Sequence, residues 1–254
     1  MNNPRGMWTL FRKEMSRFMK VSVQTVLTPV VTSLLYLMVF LQVLKEHVEV
    51  YPGVVYSVFL LPGLIMMSMI QNAFANSSSS LIQSKMMGNL VFVLLAPLSS
   101  LEIYFAFVAA AILRGLLVGI GVYIAAIWFV PLHITNIGVV LVFALLGTAS
   151  LGALGLLAGI WSRQFEQLAA FQNFVVLPLS FLSGVFYSIH SLPDPWAAVS
   201  RFNPFFYMID GFRYGFLGAS DVSPTLSIGV MSAFFVLLSV FCIWLLHTGY
   251  KLRD

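Results

Sequence analysis

Long apolar runs without a charge recur along the whole chain, and they restrict its fold more than any other feature. VVTSLLYLMVFLQVL and VGIGVYIAAIWFV carry no charged residue and no period-two alternation. A run of about 20 such residues crosses a bilayer as a helix, whereas barrel strands would alternate apolar and polar positions. Six candidate spans follow: 21–44, 54–76, 101–130, 137–161, 167–190 and 225–248. The composition agrees, because 60% of residues are hydrophobic and only 9% charged, against about 25% charged in soluble domains. The expected fold is an all-α integral membrane protein, one transmembrane domain over residues 1–254 with no soluble domain attached.

The basic N-terminus raises the question of a cleaved signal peptide. The run from Val21 to Leu44 is too long for such a segment and no small-residue cleavage site follows it, so the first span is expected to be retained. Cys242 is the single cysteine and lies within the last span, so it forms no internal disulfide.

The distribution of Lys and Arg sets the orientation. Arg5, Arg12, Lys13, Arg17, Lys20, Lys85, Arg163, Lys251 and Arg253 fall on one side of six spans; Lys45, Arg201 and Arg213 fall on the other. Both termini are therefore expected in the cytoplasm. Topology accounts for the net charge of +4, and no nucleic-acid partner is called for.

Three segments lie outside the spans. At the N-terminus (residues 1–20), Met7, Leu10, Phe11, Met15 and Phe18 share one helical face and Thr9, Lys13, Ser16 and Lys20 the other. That pattern predicts an amphipathic helix lying in the membrane interface. Residues 78–98 form a cytoplasmic stretch in which SKMMGNLVFVLL offers polar contacts at Lys85 and Asn89, adaptable Met86 and Met87, and a bend at Gly88. Ser77–Ser80 reads as the end of span two.

The third segment, residues 191–222, contains RFNPFFYMIDGFRYGFLG, in which seven of eighteen residues are aromatic. Asp194-Pro195 and Asn203-Pro204 each place a capping side chain before a proline, predicting helices over 195–202 and 204–217. In the second, Asp210 and Arg213 are spaced to pair, and Gly211 and Gly215 form a G-x-x-x-G for close helix packing. Neither helix is long enough to span about 30 Å of hydrocarbon, so a helical hairpin dipping into the outer leaflet is expected.

Polar residues within spans mark functional candidates. Arg114 lies about 20 Å into span three at 1.5 Å per residue; it either snorkels to the inner interface or pairs with Glu102 or another helix. Thr25, Thr28, Thr32 and Tyr36 form a polar stripe on span one; Gln71 and Asn72 lie in span two, Gln172 and Asn173 in span five.

The order of these parts resembles the type-2 ATP-binding-cassette (ABC) exporter permeases, with local likeness in GNLVFVLLAPLSSLE, FLSGVFYSIHSLPDPW and RFNPFFYMIDGFRYGFLG. The resemblance covers nearly the whole chain. It implies two permease copies, as a homodimer in the bacterial inner membrane, working with two copies of a cytoplasmic ABC ATPase that binds ATP and Mg; this chain has no G-x-x-x-x-G-K-[ST] and would bind no cofactor. It assigns Lys85, Met86, Met87, Gly88, Asn89 and Leu90, with Phe11 and Arg163, to ATPase contact. It sets Thr28, Thr32, Gln71, Asn72, Gln172, Asn173, Arg114 and Glu102 along the pathway or its gate. Asp194, Asn203, Pro204, Asp210 and Arg213 would shape a re-entrant hairpin that closes the exit. An amphipathic, lipid-like, drug or glycan substrate is implied by the largely uncharged interior.

Rival classes fit less well. An intramembrane serine protease would need Ser183 and a histidine base in reach, but His247 belongs to the opposite end of the membrane and Phe181 replaces the glycine of a G-x-S-G motif. No H-E-x-x-H or carboxylate cluster suggests a metal site. A secondary transporter would place acidic residues within spans, and all nine Asp and Glu lie in loops, tails or near span ends. A channel would leave the coupling stretch unexplained.

Overall fold

The computed structural model describes residues 3–44 and 49–252; Lys45 and Arg253, both used in the charge count, lie outside them. The chain is almost wholly helical: α1 (Pro4–Met19), α2 (Ser22–Leu44), α3 (Tyr56–Met86), α4 (Leu90–Leu95), α5 (Ser100–Ala126), α6 (Ile137–Trp161), α7 (Phe165–Phe171), α8 (Leu177–Phe181), α9 (Asp194–Phe202), α10 (Pro204–Leu217) and α11 (Pro224–Thr248). A departure from the all-α expectation is a small antiparallel hairpin of β1 (Glu49–Tyr51) and β2 (Val54–Val55). Five helices, α2, α3, α5, α6 and α11, are long and apolar enough to cross a membrane. The expected fifth span is a different object. α7 continues through a π-helical turn, Gln172–Val176, into α8, a stretch about 25 Å long at 1.5 Å per residue, and residues 182–193 then run irregularly apart from one 3₁₀ turn at Ile189–Ser191.

α3 is the central helix. It packs against α5, α6, α2 and α10, and it extends ten residues beyond the expected end at 76, through the serine run to Met86. The serines lie within the helix, with Ser78 Oγ bonded back to the Phe74 carbonyl at 2.8 Å and Ser80 Oγ donating across to Glu14. α6 approaches this part of α3 through its glycines: a Cβ added at Gly155 would stand 2.3 Å from the Phe74 carbonyl oxygen, and one at Gly159 3.2 Å from that of Ser78. Close packing through small residues is how helices associate where water cannot drive them together.

α1 forms as its sequence predicts, with Asn3 as N-cap accepting from the Gly6 N–H at 2.9 Å and Pro4 in the first turn. Its buried stripe is Leu10, Glu14 and Phe18, so a carboxylate sits in the middle of the face expected to be apolar. The helix lies along α5, where the Asn3 N–H donates to Glu102.

The two short helices expected before the last span are present as α9 and α10. α9 begins one residue early, with Asp194 in its first turn rather than capping it. Asn203 does cap α10, accepting from the Phe205 N–H at 3.0 Å, and its amide donates to the Leu179 carbonyl at 2.7 Å. α9 is largely exposed and α10 almost wholly buried. The G-x-x-x-G of α10 faces α6, where a Cβ on Gly211 would lie 2.0 Å from the Phe143 ring and one on Gly215 2.6 Å from Val140. Gly211→Ala is therefore expected to cost about 1–3 kcal/mol through overpacking, read as a melting temperature lower by several degrees in detergent.

Candidate functional site

A cleft of about 550 Å³ runs between α2, α3 and the π turn. The stripe on α2 supplies Thr25, Thr28, Thr32 and Tyr36; α3 supplies Gln71 and Asn72; Gln172 and Arg114 complete the wall. These were separate marks in the sequence and the fold brings them together. Thr28 and Thr32 fall on one face because they are four apart, and α2 is held to α3 by a Ser33–Ser68 hydroxyl contact of 3.0 Å. Asn173 is exposed outside the cleft.

Of the partners considered for Arg114, the structure supplies one on another helix and not Glu102, and it is a neutral amide rather than an ion pair. Arg114 Nη2 donates to Asn72 Oδ1 at 3.2 Å, and its guanidinium lies 5.8 Å from the Phe18 ring. Glu102 is engaged elsewhere: it completes a capping box with Ser99 at the start of α5 and receives the Asn3 N–H. Arg114 stands twelve residues further on, about 18 Å along the helix, so Glu102 does not meet it.

Sequence reasoning passed over the neighbours of Arg114. Arg17 lines the same cleft and donates to the Asn76 carbonyl at 2.9 Å and to Asn76 Oδ1 at 3.2 Å. Glu14, with no exposed surface, lies 3.5 Å from Arg17 Nε and 3.6 Å from Lys13 Nζ, and accepts from Ser80 Oγ. The available signal was a carboxylate set at i, i+4 spacing between Leu10 and Phe18, which a freely solvated helix face would not place there.

At the end of α3 that carries α1, Lys85 turns inward. Its Nζ donates to the carbonyls of Ile160 and Ser162 at the end of α6, the latter at 3.1 Å, where helix carbonyls lack partners. Gly88 adopts φ +70° with open space around it, a conformation that favours glycine. The chain then reverses into α4. Met86, Met87, Asn89, Val91, Phe92 and Leu95 are exposed and Leu90 is buried. Arg163 lines a cavity of about 360 Å³ with Lys85 and Lys251, and Phe11 is half-buried, its ring 5.2 Å from that of Trp8.

The opposite end is closed by a buried polar network. Arg213 has no solvent exposure. It donates to the carbonyls of Phe59 at 3.2 Å and Gly184 at 2.7 Å, and its guanidinium sits 3.7 Å from the centre of the Phe59 ring. Asp210 does not pair with it as the spacing suggested: its carboxylate accepts the backbone N–H groups of Asp221 at 2.8 Å and Val222 at 3.1 Å. Each side chain is engaged by different backbone groups: Asp210 by the N–H groups of the loop before α11, Arg213 by carbonyls of the first turn of α3 and of the irregular stretch at Gly184. Asp221 in turn accepts from Tyr51 Oη at 2.8 Å, Ser188 Oγ at 2.6 Å and the Ile189 N–H at 2.7 Å. Burial raises the Tyr51 phenol above its ordinary pKa, which keeps it a donor to that carboxylate.

The chain matches the family model described as "ABC-2 type transporter" over residues 5–217. It is 39% identical over 247 residues to the inner membrane transport permease YadH of Escherichia coli strain K12, covering 97% of this chain and 96% of that protein. The permease of the same name from Shigella flexneri matches to the same extent. With the polar residues of several apolar helices gathered on one cleft, and likeness to these permeases along almost its full length, the chain belongs to the ABC-2 type transporter family and is a multi-pass membrane transport subunit.

Proposed function

We propose that the chain is the permease of an ATP-driven exporter in a bacterial inner membrane. Two identical copies would work with two copies of a cytoplasmic ABC ATPase, which binds ATP and Mg. The helix α7, the π turn and α8 together serve as a sixth span, both termini are cytoplasmic, and α9–α10 is a re-entrant hairpin at the external end. The substrate is amphipathic and leaves the inner leaflet or the cytoplasm by way of the cleft.

One observation carries this reading: α3 lines the cleft at Gln71 and Asn72 and ends at an exposed apolar apex, Met86 and Met87, continued by Phe92 and Leu95. A polar protein surface rarely leaves so many large apolar side chains together without a partner. A force on that apex acts on a rigid helix whose other part forms the cleft wall, about 21 Å away at 1.5 Å per residue. The inward Lys85, bonded to the carbonyls of Ile160 and Ser162, ties the apex to the end of α6, so movement is shared rather than lost in a loop.

Gentle purification of the tagged chain from native membranes is expected to bring a P-loop ATPase in equal number. The double substitution Met86→Asp, Met87→Asp alters only exposed side chains, so it is expected to abolish that association, more than tenfold, while the melting temperature stays within a few degrees of the original. A solitary chain under conditions that preserve other membrane complexes would overturn the ATP-driven reading.

A further inference from the structure

The cleft carries a charge pattern that narrows its ligand. Its lining includes two guanidinium groups, Arg17 and Arg114, and no Asp or Glu. Among the described residues the ion pairs are Lys13–Glu14 and Arg17–Glu14. Glu14 thus backs Arg17 from the α1 side, and Arg114 has only the neutral amide of Asn72 as a hydrogen-bond acceptor. Buried donors without partners stand beside it, at Arg114 Nε and Gln71 Nε2. Donors in excess at the wall of a cleft suit a ligand that brings acceptors.

Arg17 lies at one end of the cleft and Arg114 about midway along it. Along α3 the lining runs from Ser79, beside Arg17, past Asn72, beside Arg114, to Met67 and Leu64. That distance is about 22 Å at 1.5 Å per residue. The cationic part runs from the end shared with α1 to the middle of the cleft, and beyond it apolar Met67, Leu64, Pro29 and Leu177 alternate with the hydroxyls of Thr32, Ser33, Tyr36 and Ser68. α2 screens the cleft thinly, leaving Val23, Leu27, Val31 and Leu35 exposed on its outer side. Such a cleft presents charge over the half nearer α1, walls of mixed apolar and hydroxyl side chains beyond it, and a single helix, α2, between it and the outside.

We propose that this cleft binds an amphiphile with an anionic phosphate-type head, held by Arg114 and Arg17, with its apolar chain lying along α3 toward Leu64. This assignment rests on the transport reading for its purpose, though its binding chemistry does not depend on an ATPase. Phosphate oxygens accept charge-assisted hydrogen bonds from guanidinium in planar geometry, and anionic head groups collect at basic residues on the inner face.

The test uses the full chain in nanodiscs of zwitterionic lipid, with dodecyl phosphate, a neutral dodecyl tetraethylene glycol ether and inorganic phosphate as probes, each titrated below micelle formation. Dodecyl phosphate is expected to bind at least tenfold more tightly than either of the others. Arg114→Gln is expected to weaken it about 10–100-fold, the loss of a hydrogen bond to a charged group, and Arg12→Gln, on the exposed face of α1, to leave it unchanged. Should Arg114→Gln fail to fold, the original chain supplies the answer: rising salt must weaken the phosphate probe and spare the neutral one. Equal affinity for the anionic and neutral amphiphiles overturns the proposal. Inorganic phosphate binding as tightly as dodecyl phosphate overturns the amphiphile and leaves a free-anion site. Tight binding by a chain that purifies without an ATPase would leave this site standing and overturn the ATP-driven reading; no binding by a chain that brings its ATPase would do the reverse.

Discussion

Arg213→Ala is expected to be the most damaging single substitution in this protein, lowering the melting temperature by roughly 10 °C or preventing recovery of monodisperse material. Removing one partner from a buried, hydrogen-bonded charge costs about 3–5 kcal/mol, and here the loss falls on three segments at once. The Phe59 carbonyl at the start of α3 and the Gly184 carbonyl in the irregular turn lose their donor. The Phe59 ring loses the cation stacked at 3.7 Å, and a cavity opens where the largest fully buried side chain stood. Arg213→Lys separates charge from geometry: it keeps the cation without a planar fork and is expected to recover less than half of the loss. Size-exclusion profiles and thermal unfolding in mild detergent would measure both. A melting temperature for Arg213→Ala within about 2 °C of the original, on the usual scale of a few degrees per kcal/mol, would show that the outer network does not hold α10 in place.

The second large effect is expected at Glu14. Glu14→Ala leaves Arg17 beside Asn76 and Arg114 with no carboxylate behind it, on a helix whose other buried anchors are Leu10 and Phe18. The exposed basic residues of α1 contribute little to docking, since solvent screens them; the Glu14–Arg17 pair differs because Glu14 is fully buried and Ser80, Asn76 and Ser79 hydrogen-bond to the pair. We expect α1 to detach locally while the spans stay folded. A Leu10→Cys reporter, placed where Leu10 is 5% exposed and with Cys242 replaced by serine, should resist maleimide in the presence of Glu14 and label at least tenfold faster in Glu14→Ala. Equal labelling rates would mean that Leu10 and Phe18 suffice to hold α1. Because Arg17 also lines the cleft, the same variant is expected to loosen binding there.

Several parts of this architecture are legible in the chain itself, and each has a local physical cause. The apolar runs dictate helices, since backbone groups in lipid must be satisfied within the segment. Asn203-Pro204 marks the start of α10 because capping and the missing proline N–H act within a few residues. Gly211 and Gly215 announce a close helix contact for the same reason, as absent side chains are visible without knowing the neighbour. The threonine stripe on α2 shows which face is polar, because helical periodicity needs no partner to be seen.

Other features were decided only by the tertiary structure. The serine run was not the end of a span: α3 continues through it, with Ser80 bonded to α1 and the glycines of α6 packed against it. Asp210 and Arg213, correctly spaced to pair, are engaged instead by backbone groups of other segments, which compete with the ion pair. Glu102 and Arg114 share α5 but serve different ends of it. Asp221 carried no sequence signal at all; its role arises from Tyr51 and Ser188, residues far away in the chain. Local propensity and periodicity are properties of a segment, and the sequence alone determines them. Which polar groups meet depends on long-range packing, because in a low-dielectric interior a buried donor or acceptor is costly unless the fold brings it a partner.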